Sequence, residues 1–136
     1  MNSWLPYTLF TILVWGLWGL FSKLAVGSAQ PRHVLIFQAV GMLAFAIVAL
    51  CVMGFPIPWS GRAFTFSFLA GITAFAGYFT FFMALERGKA VVVVPLSTLG
   101  PVFTAVLSTL LLRERLTFPQ LVGVVLAISA CILVAL

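Results

Sequence analysis

Five apolar runs, separated by short joints of polar residues, proline and glycine, set the pattern of this chain. They cover roughly residues 4–22, 34–55, 63–85, 90–112 and 118–136. Each holds about 19–23 residues, which at about 1.5 Å rise per residue matches a hydrocarbon core of about 30 Å. A helix satisfies its own backbone groups, and lipid offers no other partner. The joint "KLAVGSAQPRH" carries Pro31 as a stop and start signal, and "PIPWSGR" carries Pro56, Pro58 and Gly61. "ERGK" and "RERLT" are short enough to make consecutive helices antiparallel neighbours. The expected fold is an all-α polytopic membrane protein with five transmembrane helices, forming a single module over residues 1–136.

Composition agrees with lipid as the main solvent. The chain is 64% hydrophobic and only 7% charged, where soluble domains carry about 25% charged residues. The net charge of +5 does not point to nucleic acid, because all seven Lys and Arg lie at the ends of apolar runs. Trp4 and Trp59 fall near expected interfaces, where indole rings settle. Cys51 and Cys131 lie inside apolar runs, without metal-ligand spacing, and read as small lipid- or core-facing residues. No Lys or Arg precedes the first run, which is also longer than the usual signal core of about 7–15 residues, so a cleaved leader is not expected.

Five spans put the two termini on opposite sides of the membrane. The N-terminal side then holds Arg62, Arg113 and Arg115, and the other holds Lys23, Arg32, Arg87 and Lys89. Lys/Arg asymmetry sets orientation, and three against four gives it almost nothing to act on. Insertion in both orientations is the expectation.

The stretch from Val94 to Leu136 contains Pro101-Val102-Phe103, then Glu114-Arg115-Leu116-Thr117, Gln120 and Gly123. The first run contains Trp15-Gly16 and is followed by Lys23, and the third crosses into the fourth through "FFMALERGKAVVVVPL". Together these features resemble an EamA module of the drug/metabolite transporter superfamily, closest to its small single-module five-helix bacterial and archaeal members. The resemblance covers most of the chain and is weakest in the second span. It implies half of a ten-helix inverted-repeat transporter fold in a bacterial or archaeal cytoplasmic membrane. A lone module rebuilds the ten-helix arrangement by pairing with an oppositely inserted copy. The expected partners are therefore a second copy as an antiparallel homodimer, the bilayer and a small-molecule substrate, with no nucleic acid and no cofactor.

Several side chains are candidates for a substrate cavity. Ser97, Pro101, Thr104 and Ser108 are spaced to share one helix face, with Thr98 alongside. Pro101 has no N–H for the Ser97 carbonyl, and a freed carbonyl is tolerated in a membrane beside protein or a water-filled cavity. The alternative is that the hydroxyls bond their own backbone and the proline only kinks the helix. In the first span Thr11, Trp15, Trp18 and Ser22 recur at helical spacing, as cavity lining or as ordinary helix packing. Tyr78, after Gly71 and Ala74 on one face of the third span, lines a cavity or makes an internal hydrogen bond. Gly16 and Gly19, and Gly123, Ala127 and Ala130, are small-residue faces that suit helix–helix or dimer contact. Lys23 either snorkels to the interface or guards a cavity entrance, and Gln38 faces a neighbouring helix or the cavity.

Glu86 and Glu114 lie at span ends beside cations, so neither is a membrane-embedded proton site. The first span has no carboxylate of the kind used by the related small multidrug exporters. His33, the one histidine, sits at a loop edge. No nucleophile–base pair, metal cluster or phosphate-binding glycine loop is legible, so catalysis is not expected. The function expected is transport of small metabolites, as an exporter or facilitator working by alternating access. The alternatives are a proton-coupled multidrug exporter and a non-transporting subunit that pairs with another membrane module.

Overall fold

The computed structural model describes residues 4–54 and 59–136. Phe55, Pro56 and Pro58, which belong to the end of the second run and its following joint, lie outside the described residues. The helices are α1 (Leu5–Val26), α2 (Pro31–Met53), α3 (Gly61–Arg87), α4 (Ala90–Ser97), α5 (Gly100–Leu111) and α6 (Phe118–Ala135). Among the described residues five stretches are long and apolar enough to cross a membrane, and Ala90–Leu111 is the fourth of them. The five-helix expectation holds, with the fourth span built from two helices.

The helix boundaries follow local chemistry. α1 continues past the expected end at Ser22 to Val26, so that Lys23 stands in its last turn, where a cation complements the helix dipole. α2 begins at Pro31, three residues before the apolar run, because proline at the first helical position gives up only an N–H that has no intrahelical partner. α6 opens with a capping box: Thr117 is the N-cap, and the Gln120 side-chain oxygen accepts the Thr117 backbone N–H at 2.8 Å. The threonine and the polar residue of the sequence motif thus have a structural task, which is to start the last helix. Before it, Arg113 takes a left-handed φ of 57° that turns the chain out of α5, and the Glu114 N–H reaches back to the Ser108 carbonyl at 3.3 Å.

The chain divides into two compact units, Met1–Arg87 and Gly88–Leu136. In the first, α1, α2 and α3 pack pairwise, and their buried residues gather at one end. These are Gly19, Ser22 and Val26 of α1, Pro31 and Val34 of α2, and Phe82 and Leu85 of α3. Phe82 and Leu85 have no exposed surface. Spacings of three and four place each set on one helix face. The opposite ends of the same helices carry exposed side chains such as Phe10, Phe45 and Phe66. The unit is therefore closed at the end where α1 and α3 finish and α2 starts. At that end the Lys23 ammonium donates to the Leu85 carbonyl at 2.6 Å. Lys23 therefore neither snorkels freely nor simply guards an entrance: it caps the carbonyl end of α3, because the last turn of a helix offers unpaired carbonyls to a nearby cation.

In the second unit α4 packs on α6. The buried Cys131 of α6 directs its thiol to the Pro95 carbonyl at 3.3 Å. Cys131 is thus core-facing, one of the two readings expected for it, and its thiol also donates to a carbonyl near the helix break.

Candidate functional site

The break between α4 and α5 is where the structure departs most from the sequence reading. A single kinked helix would put Ser97, Pro101, Thr104 and Ser108 on one face. Instead α4 ends at Ser97 and α5 starts at Gly100. The Thr98 N–H bonds to the Pro95 carbonyl at 3.0 Å and the Leu99 N–H to Leu96 at 3.2 Å, a tightening typical of helix ends. The N–H groups of Val102 and Phe103 then both reach the Leu99 carbonyl, which opens the new helix. The cause is Pro101, whose ring would strike the Ser97 carbonyl in a continuous helix and which has no N–H to offer it. Gly100 weakens the same turn further. Within α5, Pro101 occupies the first turn, where it costs nothing.

This break divides the expected stripe. Pro101, Thr104 and Ser108 come together in a groove of about 300 Å³, with Ala105, Thr109, Glu114, Arg115, Leu116 and Gln120. Ser97 and Thr98 are not among its lining residues. Their hydroxyls donate to Val94 and Pro95 carbonyls, and that of Thr104 donates to Gly100. These hydroxyls keep lone pairs and can accept from a ligand, but their own protons are spent on backbone. Glu114 and Arg115, read from sequence as span-end charges, both line the groove.

The first unit assembles a different cluster. Trp18 is half-buried, with its ring 5.1 Å from Phe81 at 20° and 5.5 Å from Tyr78 at 53°. Tyr78 in turn meets Phe75 at 6.0 Å and Phe82 at 6.5 Å. The indole N–H of Trp18 donates to the Gln38 side-chain oxygen at 3.2 Å. Ser22, one turn further along α1, is buried. Thr11 and Trp15 stand apart from this cluster. The Thr11 hydroxyl bonds the Tyr7 carbonyl, and Trp15 is 68% exposed. Of the first-span stripe, then, only Trp18 and Ser22 face the closed end.

The small-residue faces differ among themselves. Gly19 is buried in α1. A Cβ built on Gly16 or Gly123 would meet nothing within 4 Å, and Ala127 and Ala130 are exposed. Glu86 lies in the last turn of α3, and Glu114 lies between α5 and α6.

A family model described as EamA-like transporter family matches residues 2–136. The chain belongs to that family. As an EamA-family chain with five membrane-crossing stretches it is a multi-pass integral membrane protein and a membrane transporter. An uncharacterised protein of Methanocaldococcus jannaschii is 30% identical over 136 residues, covering 100% of this EamA chain and 98% of its own length. An uncharacterised transporter from a Sinorhizobium species is 26% identical over 137 residues, covering 98% of this chain and 97% of the relative. An uncharacterised transporter of Archaeoglobus fulgidus is 27% identical over 140 residues, which span 99% of this chain but 48% of that protein. No solved structure matches the EamA chain significantly.

Proposed function

We propose that this chain moves small metabolites, amino-acid-like molecules first among them, out of the cell by alternating access as an antiparallel homodimer. The observation that carries the reading is the charge balance. Five spans with Arg62, Arg113 and Arg115 facing one side, and Lys23, Arg32, Arg87 and Lys89 the other, leave both orientations open. Two oppositely inserted copies supply ten helices related by inversion, the arrangement that alternating access uses in transporters built from inverted repeats. A relative about twice as long, in which one copy of this chain's length fills 48%, supports the same count. Exposed small residues at Gly16, Gly123, Ala127 and Ala130 offer close-approach faces for the second copy. The one-ended packing of α1, α2 and α3 suits a helix group that seals one side and opens on the other.

The test is flux of radiolabelled neutral amino acids across liposomes carrying the purified protein. Accumulation above empty liposomes is the expected result. Absence of flux for every member of the panel, with the protein folded and inserted both ways, would leave the dimer but remove the substrate class. C-terminal reporters read the orientations separately.

A further inference from the structure

The Gln38 amide has one satisfied atom and one starved one. An indole nitrogen can only donate, so the atom 3.2 Å from Trp18 is the amide oxygen. That bond fixes which way the amide points, a question geometry alone often leaves open. The Gln38 nitrogen, Nε2, then faces away from the indole with two N–H groups. It is buried and has no hydrogen-bond partner among the described residues. Buried polar groups without partners are rare, and each calls for a reason. In a membrane span the reason is stronger, since lipid supplies no acceptor in their place.

The position of this amide gives the reason. Gln38 lies one turn inward of Val34 and two of Pro31, the buried residues of α2 at the closed end of the first unit. Its partner Trp18 in turn packs on Tyr78 and Phe81, so the amide adjoins one end of an aromatic group. The amide is thus a polar group set just behind the seal, with aromatic walls next to it. Its nitrogen exposes no surface while α3 is closed on α1 and α2, whereas the indole–amide bond lies between α1 and α2 alone.

We infer that Gln38 Nε2 is a binding contact for the transported molecule, donating to a carbonyl or carboxylate oxygen of a solute whose apolar part lies against Trp18 and Tyr78. This rests on the alternating-access reading, because the contact forms in the open arrangement of the same helices. The indole–amide bond holds the donor at the right orientation in advance, so no side-chain rotation is needed when solute arrives. The site selects acceptor oxygens: a cationic amine of the same size would leave both N–H groups unmet.

The full chain contains three glutamines, Gln30, Gln38 and Gln120. Selective ¹⁵N-glutamine labelling in lipid nanodiscs therefore yields three side-chain amides, each a pair of N–H signals, and Gln38→Met assigns the pair from Gln38. Benzoate supplies a ring with a carboxylate, and benzylamine the same ring with an ammonium. The expected result is a saturable downfield shift of the Gln38 signal with benzoate and none with benzylamine. Saturation-transfer signals from benzoate should fall at least tenfold in Gln38→Met. An unmoved Gln38 signal, or an equal shift from benzylamine, overturns the proposal. Where Gln38→Met folds poorly, Gln30→Asn and Gln120→Glu assign the other two amides, and the wild-type titration still decides. A benzoate shift without liposome flux of the amino-acid panel keeps the site and removes the metabolite-export reading, while flux with an unmoved Gln38 signal does the reverse.

Discussion

The Lys23 ammonium lies 2.6 Å from the carbonyl oxygen of Leu85, a residue with no exposed surface. One cation thereby joins the last turns of α1 and α3, and does so at the closed end of the first unit. Hydrogen bonds to charged groups contribute about 1.5–3 kcal/mol, and a buried carbonyl left without its donor costs about as much. Lys23→Met keeps the aliphatic stem and removes the charge. It should lower the thermal unfolding midpoint in detergent by several degrees. Lys23→Arg should recover part of the loss, since the guanidinium also donates but with a different fork geometry. An unchanged midpoint in Lys23→Met would show that the contact carries no stability.

Pro101 separates α4 from α5. Pro101→Ala restores an N–H for the Ser97 carbonyl and removes the ring clash, so the two helices can run on as one. A proline in a helix interior costs about 3 kcal/mol, and here that cost is avoided by the break. The variant should keep or raise the unfolding midpoint while lowering flux, because a continuous helix redirects Thr104 and Ser108 and reshapes the groove. Normal flux would mean that the break is dispensable. A lowered midpoint would mean that the groove is part of the packing.

The capping box of Thr117 and Gln120 starts α6. Losing an N-cap side chain costs about 0.5–2 kcal/mol. Thr117→Ala and Gln120→Ala should each lower the midpoint, and the double variant should lose less than the sum, because the two groups serve one another. Thr117→Ser should be close to neutral. Additive losses in circular-dichroism melts would show that the two residues act independently.

Orientation is the fourth test. With three basic residues against four, C-terminal reporters should give both cytoplasmic and external populations. Adding two or three Lys to one side should collapse them into one and reduce flux, with recovery on co-expression of an oppositely biased copy. A single orientation for the unaltered chain would remove the antiparallel homodimer.

The spans were legible in the sequence because lipid tolerates few charges, and every break between spans is marked by charge, proline or glycine. Pro31 marked the start of α2, although the helix begins three residues ahead of its apolar run. The break at Thr98 and Leu99 was hidden, since the run from Ala90 to Leu112 carries no charge to divide it and a proline does not by itself tell a kink from an interruption. The partner of Gln38 was hidden for another reason. It depends on how α1 and α2 are rotated, and helices apolar on nearly every side carry no polar face that fixes rotation. Trp18 and Tyr78 were each legible as candidates, but their meeting with Phe81 needed coordinates. So did the entry of Glu114 and Arg115 into the groove, because the turn at Arg113 that brings them there comes from a left-handed backbone with no glycine to signal it.

The two-part fourth span also bears on how the chain is made. Eight residues of α4 cover about 12 Å, less than half of a bilayer core, so α4 has no standing as a separate insertion unit. It must leave the translocon together with α5, as one apolar stretch. The interruption gains its outside support only when α6 arrives, since Cys131, which serves the Pro95 carbonyl, lies 36 residues downstream of that proline. During synthesis the fourth span is therefore committed to the bilayer on its own local hydrogen bonds, before α6 adds the contact from Cys131.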